Sequence, residues 1–306
     1  MPAKPLEIKG GLNTGTIPGS ERQLVLVEPG QTLTLDVAGA SPQARVAAHG
    51  GLSATLANGR LTLVADPAAK GGYRSSALTP VAAGKPYLTA VDITDGAATK
   101  QLTVLVAANA RLVPAAAATL AGGAKLLPVD GGRANAAIML SAKGQTARFA
   151  FPKLPAGRYA IMNLTRYQSV LEPLGGHYGA GANRDIELKL PGMKNPIGAG
   201  AQESLPDAYW WTTIGTGKPG ARGNFKWEYP CDPYSYYPYQ LPGYFDLPAD
   251  AWAEYSTPEA FPGGIELAGV LVVPDPSRDF MRDLRKVLCG FNCAPWTCRA
   301  TDATSR

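Results

Sequence analysis

The side chains that could do chemistry in this 306-residue chain are sparse and scattered. There are two histidines. His49 follows Val46-Ala47-Ala48 and precedes Gly50-Gly51, which makes it a turn residue, and His177 stands in the glycine-rich run Gly175-Gly176-His177-Tyr178-Gly179. Neither accompanies a nucleophile in a recognised arrangement: the sequence has no G-x-S-x-G, no H-E-x-x-H and no P-loop. Paired carboxylates are the other route to hydrolysis, and Glu203, Asp207, Glu228, Asp232 and Asp246 lie among aromatic residues that offer a platform to a sugar. The plainer reading is that they solvate an otherwise apolar stretch. Asp275 and Asp279 flank Arg278 at the start of an expected helix, where carboxylates favour the helix dipole. The expectation is therefore a protein that is not an enzyme, with no catalytic residues and no cofactor.

The cysteines are Cys231, Cys289, Cys293 and Cys298, and the preceding 230 residues contain none. Cys289-x3-Cys293-x4-Cys298 lacks the paired C-x2-C knuckles of a zinc site, and both histidines are distant in sequence, so no metal is expected. An even, clustered set is expected to form disulfides, one of them reaching Cys231. That bonding implies an extracytoplasmic location: secreted, at the cell surface or in the periplasm.

Aromatic residues concentrate in one region. Between residues 192 and 262 lie Tyr209-Trp210-Trp211, Trp227-Glu228-Tyr229, Tyr234-Ser235-Tyr236-Tyr237-Pro238-Tyr239 and Tyr244-Phe245, with Trp252 and Tyr255 beyond. Frequent proline removes backbone donors and fixes φ, so the stretch is expected to be mostly a long insertion without regular structure. Tyr209, Trp210, Trp211, Trp227, Tyr236, Tyr237 and Tyr239 are the candidate binding or interface residues, because Tyr and Trp stack on sugar rings and are enriched at protein interfaces. Packing of the rings on one another, as the small core of a long loop, stays open beside both.

Positioning such a surface falls to β-strands. Gln31 to Val37 alternates polar and apolar after the turn Glu28-Pro29-Gly30; Leu52 to Leu56 and Leu61 to Val64 flank Asn58-Gly59, a dipeptide suited to a tight hairpin. Tyr87 to Thr94 and Gln101 to Val106 form a second hairpin around Asp95-Gly96. These segments, Val27 to Leu35, Ala90 to Gly96 and Leu102 to Val106, resemble bacterial immunoglobulin-like or cadherin-like domains, which implies an exposed sandwich over residues 1–110. Cadherin-like relatives often hold Ca²⁺ between modules. Asp92 and Asp95 lack the surrounding acidic ligands, and a hydrogen-bonded turn aspartate is the favoured role. Residues 111–123, rich in Ala and Gly, are expected to be a linker or the first strand of the next domain, and the two domains to fold independently.

Over 124–306, strands at Thr146–Phe151, Arg158–Leu164 and Asp185–Leu190 precede the insertion, and Gly264 to Pro274 follows it. Phe149 to Ile161 together with Gly264 to Pro274 resembles galactose-binding-like jelly rolls, a fold shared by many bacterial carbohydrate-binding modules. Pro276 to Leu288 has helical spacing with Ser277 as N-cap. The fold class expected is all-β: an Ig-like sandwich, then a jelly-roll-like sandwich with one short C-terminal helix. Asn163-Leu164-Thr165 matches the glycosylation sequon, but it lies in an expected strand and is discounted.

The net charge of +5 is spread as isolated Lys and Arg, without the basic run of a nucleic-acid arm. No stretch approaches the roughly 20 apolar residues of a membrane span. Met1-Pro2-Ala3-Lys4-Pro5 lacks the n-region and h-region of a secretory signal, so either there is none or it has been removed. The expected function is a structural or assembly subunit of a cell-surface layer, filament or complex, with other protein subunits as partners. The alternative is a carbohydrate-binding accessory module, with polysaccharide as partner.

Overall fold

The computed structural model describes residues 5–13, 23–66, 84–128, 136–167, 186–198, 210–213, 244–260 and 264–274, with the backbone alone described at 164–167, 197–198 and 210–213. The expected helix over 276–288, all four cysteines and His177 lie outside these residues.

Strands, numbered in chain order, form four sheets. The first runs β1 (Glu7–Lys9), β4 (Thr32–Ala38), β7 (Arg60–Ala65), β6 (Leu52–Ala57). The second runs β2 (Leu12–Asn13), β3 (Gln23–Val27), β9 (Ala98–Val106), β8 (Tyr87–Asp95), β5 (Arg45–Ala48), with β3 parallel to β9. The third is β12 (Lys125–Leu127), β13 (Ala137–Leu140), β21 (Ile265–Pro274), β15 (Gly157–Tyr167) and β18 (Trp210–Thr213); β10 (Arg111–Pro114) also pairs with β21, and β19 (Tyr244–Leu247) with β15. The fourth is β11 (Thr119–Ala121), β14 (Thr146–Ala150), β20 (Trp252–Ser256), β16 (Glu187–Lys189) and β17 (Ile197–Gly198).

Alternation along the strands explains why four sheets stack. Leu61, Leu63, Val91, Ile93, Leu102 and Val104 meet between the first and second sheets. Phe149, Tyr159, Ile161, Tyr255, Val270 and Val272 fill the space between the third and fourth. A third cluster joins the sandwiches: Leu12, Leu24, Leu88 and Leu105 of the second sheet pack on Ala160, Met162, Leu271 and Val273 of the third. The inner strands are consequently apolar on both faces, and β21 is buried along nearly its whole length. Period-2 patterning fails there for a physical reason: no face is left for water.

A register shift opposite Leu164/Thr165 adjusts β21 to its two cores. Gly269 pairs with Leu164 and Leu267 with Thr165, so Ala268 is the extra residue of a bulge. Ile265 and Leu267 before it, and Val270 and Val272 after it, thereby face one core, while Ala268, Leu271 and Val273 face the other. Gly269 is required by close approach: a Cβ there would lie 2.6 Å from Leu12 Cδ1 and 3.1 Å from the Val113 carbonyl oxygen.

Residues 111–121 take the second of the two readings that composition left open, entering the second sandwich as β10 and β11. Arg111 clamps the junction. Its Nη1 is 3.1 Å from Glu28 Oε1 of the first sandwich, while Nε and Nη2 donate to the Pro152 and Lys153 carbonyls of the second. The expected irregular insertion over 192–262 is corrected at its far end, because β19 and β20 lie within it and β20 is a central strand of the fourth sheet.

Candidate functional site

Of the seven aromatic residues singled out by sequence, Tyr209, Trp227, Tyr236, Tyr237 and Tyr239 lie outside the described residues. Trp210 and Trp211 belong to β18, where Trp211 pairs with Leu164 and Trp210 with Thr165. The same edge of β15 also receives β19, Tyr244 opposite Ala160. Thr213, opposite Met162, and Tyr244 are thus two register positions apart on one strand, about 7 Å. Residues 213 and 244 thus stand at nearly the same point of the β15 edge. The Arg158 guanidinium lies 4.7 Å from the Tyr244 ring centroid.

Tyr255, grouped with the aromatic stretch by its place in the sequence, is a core residue. Its ring meets Phe149 edge to face at 5.8 Å, and its hydroxyl donates to Asn163 Oδ1 at 2.7 Å. Burial pushes the phenol well above the usual tyrosine range, so it is a donor at ordinary pH. Asn163 is 0% exposed, which removes the sequon from consideration.

Trp252 has the opposite fate, and the reason is the parity of β20. Ala253 and Tyr255 point inward; Trp252, Glu254 and Ser256 point away from the core. On the neighbouring β14, Arg148 and Ala150 are exposed while Ala147 and Phe149 are buried. Register then assembles an open face: Arg148 opposite Glu254, Ala150 opposite Trp252, and Lys189 and Glu187 of β16 opposite Glu254 and Ser256. The Arg148 guanidinium stands 4.2 Å from the Trp252 ring centroid. Its Nε and Nη2 both donate to Glu254 Oε2, at 2.9 and 2.7 Å. A half-buried indole is thus held beside a fixed guanidinium-carboxylate pair, with two cationic and two anionic side chains across the strands.

Among the described residues, the titratable pair with most resemblance to a catalytic dyad lies elsewhere. His49 Nε2 is 2.8 Å from Asp92 Oδ2, and Gln101 Nε2 donates to Asp92 Oδ1 at 2.8 Å. Thr89 directs its hydroxyl to the His49 carbonyl oxygen and not to the ring. Asp95 accepts the Ser41 amide and hydroxyl at 2.7 and 2.6 Å, and these bonds hold its carboxyl below the usual range. Both aspartates are therefore engaged in hydrogen bonds within the first sandwich. Among the described residues no group of three or more His, Cys, Asp or Glu is placed to hold a metal. Of the five carboxylates considered for glycoside hydrolysis, only Asp246 is described; it is exposed on β19 opposite Arg158.

No protein-family model matches the sequence, and no curated protein matches it either. Solved structures give partial likenesses. The C-terminal family 6 carbohydrate-binding module of LamC, a marine laminarinase from Zobellia galactanivorans, is 11% identical, with 54% of this chain and 98% of that one covered and a TM-score of 0.29. A family 35 carbohydrate-binding module from Clostridium thermocellum is 13% identical over 56% of this chain and 100% of that one, TM-score 0.30. An isomalto-dextranase of Arthrobacter globiformis T6 is 13% identical over 80% of this chain and 35% of that one, also at 0.30. At TM-scores of 0.29 and 0.30 these likenesses carry no argument about what this chain binds.

Proposed function

We propose that this chain is a non-enzymatic, extracytoplasmic carbohydrate-binding protein whose jelly-roll-like second sandwich presents the outer face of its β11-β14-β20-β16-β17 sheet to an uncharged polysaccharide. The observation that carries this reading is the Trp252–Arg148–Glu254 cluster on that open face. An indole gives the apolar patch of a sugar ring a flat partner, and a guanidinium-carboxylate pair beside it offers donors and acceptors to the ring's hydroxyl rim. Arg148 and Lys189 balance Glu187 and Glu254, so the face favours a neutral chain over a polyanion.

Tyr209, Trp210, Trp211, Trp227, Tyr236, Tyr237 and Tyr239 form the second part of the proposal, as further rings that meet the glycan or a partner protein. What supports this part is the pairing of Trp210, Trp211 and Tyr244 with the same edge of β15. The cysteines are proposed to be disulfide-bonded. The first sandwich is proposed to be an Ig-like spacer, and the partners to exclude nucleic acid. Among the described residues no helix is long and apolar enough to cross a membrane.

Retention of the full chain on immobilised neutral and acidic polysaccharides, at low and high salt, tests the function. Retention on a neutral polymer that persists at high salt is expected. Retention only on the acidic polymer, lost with salt, would mean that the chain's net positive charge and not this face is responsible.

A further inference from the structure

Edge strands leave a row of unpaired backbone groups, and proteins blunt them by keeping them short, charged or interrupted by proline. Among the described strands, nearly every one that ends a sheet follows that rule. β1 is three residues with a charge at each end, β2 and β17 have two residues, and β11 has three. β5 carries Arg45, β12 carries Lys125, and β10 carries both Arg111 and Pro114. β18 and β19 have four residues each. The exception is β6, six residues reading Leu52-Ser53-Ala54-Thr55-Leu56-Ala57, with no charge, no proline and no bulge in its pairing with β7.

Its hairpin fixes which backbone groups have no partner among the described strands. Asn58 and Gly59 have φ of 51° and 71°, so a two-residue turn joins Ala57 to Arg60 and these two exchange both backbone bonds. By antiparallel alternation Thr55 with Thr62 and Ser53 with Val64 do the same. Leu52, Ala54 and Leu56 then direct their N–H and C=O away from β7, toward the side of β6 where the sheet order ends. Their side chains face the core side and are half-buried, while Ser53 and Thr55 are exposed on the outer face.

We propose that β6 is a self-association surface, at which a second copy of this chain pairs antiparallel about a twofold axis through Ala54. Only a register centred on a residue, and not between two, matches both the hydrogen-bonding direction and the side-chain faces, and Ala54 is the middle one of the three residues whose backbone groups point outward. It sets Ala54 opposite Ala54 of the second copy and Leu52 opposite Leu56, all as hydrogen-bonded pairs. Ser53 then lies opposite Thr55 on the outer face. Small and apolar residues meet on the core side, hydroxyls meet outside, and the absence of charge means that no like pair opposes the contact. The inference is independent of carbohydrate binding, which uses the far sheet of the other sandwich.

Light scattering of the full chain across a concentration series tests it. The expected result is a mass rising toward twice 32.0 kDa. The variant S53K/T55K, altered only at exposed positions, sets lysine opposite lysine twice and is expected to remain monomeric with an unchanged circular dichroism spectrum. The variant S53E/T55E alone is also expected to be monomeric, and an equimolar mixture of the two recovers the doubled mass. A wild-type chain that stays monomeric at high concentration overturns the proposal, as it would if another segment of the same chain covered this edge. A dimer that persists in S53K/T55K, or a mixture that fails to recover it, overturns the proposal as well.

Discussion

At the scale of single residues, burial sorts tyrosines by role. The phenols of Tyr87, Tyr159 and Tyr255 are all raised above the ordinary value by burial, Tyr87 with a further contribution from the Asp66 carboxylate. A folded-state pKa above the unfolded value of about 10 gives stability that is complete below pH ~10 and is lost as pH rises beyond it. Denaturant titrations from pH 7 to 11.5 are therefore expected to show stability falling only above about pH 10. Tyr255→Phe should flatten part of that fall, and at neutral pH it should cost about 1 kcal/mol, because it removes a buried hydrogen bond to Asn163 Oδ1. A slope unchanged by the substitution would contradict the assigned burial. Thr103 presents the reverse case. Its hydroxyl is buried without a partner, so Thr103→Val, nearly equal in volume, is expected to stabilise by about 1 kcal/mol in the same assay.

At the scale of elements, hairpins were readable where turn chemistry is local. Asn58-Gly59 places β6 against β7, and Gly96, at φ 59°, turns β8 into β9. The doubly buried β21 is anticipated by its resemblance to the closing strand of galactose-binding-like jelly rolls, but nothing in its apolar run announces which residues face which core. The bulge at Ala268 decides it, and a bulge depends on neighbouring strands. The face proposed for glycan contact was less legible. Composition directs attention to the aromatic cluster before residue 240, whereas Trp252 joins Arg148 only through a register between strands about a hundred residues apart. The parity of β20 was the available signal, since Ala253 and Tyr255 inward sends Trp252 outward. Gly269→Ala tests the packing at the bulge. A Cβ there meets the fixed Val113 carbonyl oxygen as well as Leu12, so a loss of about 1–3 kcal/mol in thermal or denaturant unfolding is expected. A neutral effect would mean that the sandwiches do not approach as closely as described.

At the scale of the whole molecule, the apolar contact between the second and third sheets joins the two sandwiches that composition separates, and it leads us to expect one folding unit. A chain ending near residue 110 exposes Leu12, Leu24, Leu88 and Leu105 together, and each buried leucine is worth about 1.5–3 kcal/mol. The full chain is expected to unfold in a single transition, and the truncated one to aggregate or to melt well below it. Two separated transitions, with a soluble fragment as stable as its part of the whole, would restore the independent-domain reading. The stacking places the β6 edge and the Trp252 face on the first and fourth sheets, so the proposed association and the proposed glycan contact would not compete for surface.

The most direct test of the central claim is the affinity of the full chain for the neutral polysaccharide that retains it, compared with Trp252→Ala and Arg148→Ala. Each variant is first shown to melt with the wild-type transition. Loss of the indole is predicted to weaken binding at least tenfold, about 1.4 kcal/mol, with a smaller loss for the arginine and little dependence on salt. Unchanged affinity in a folded Trp252→Ala protein would contradict the assignment of this face.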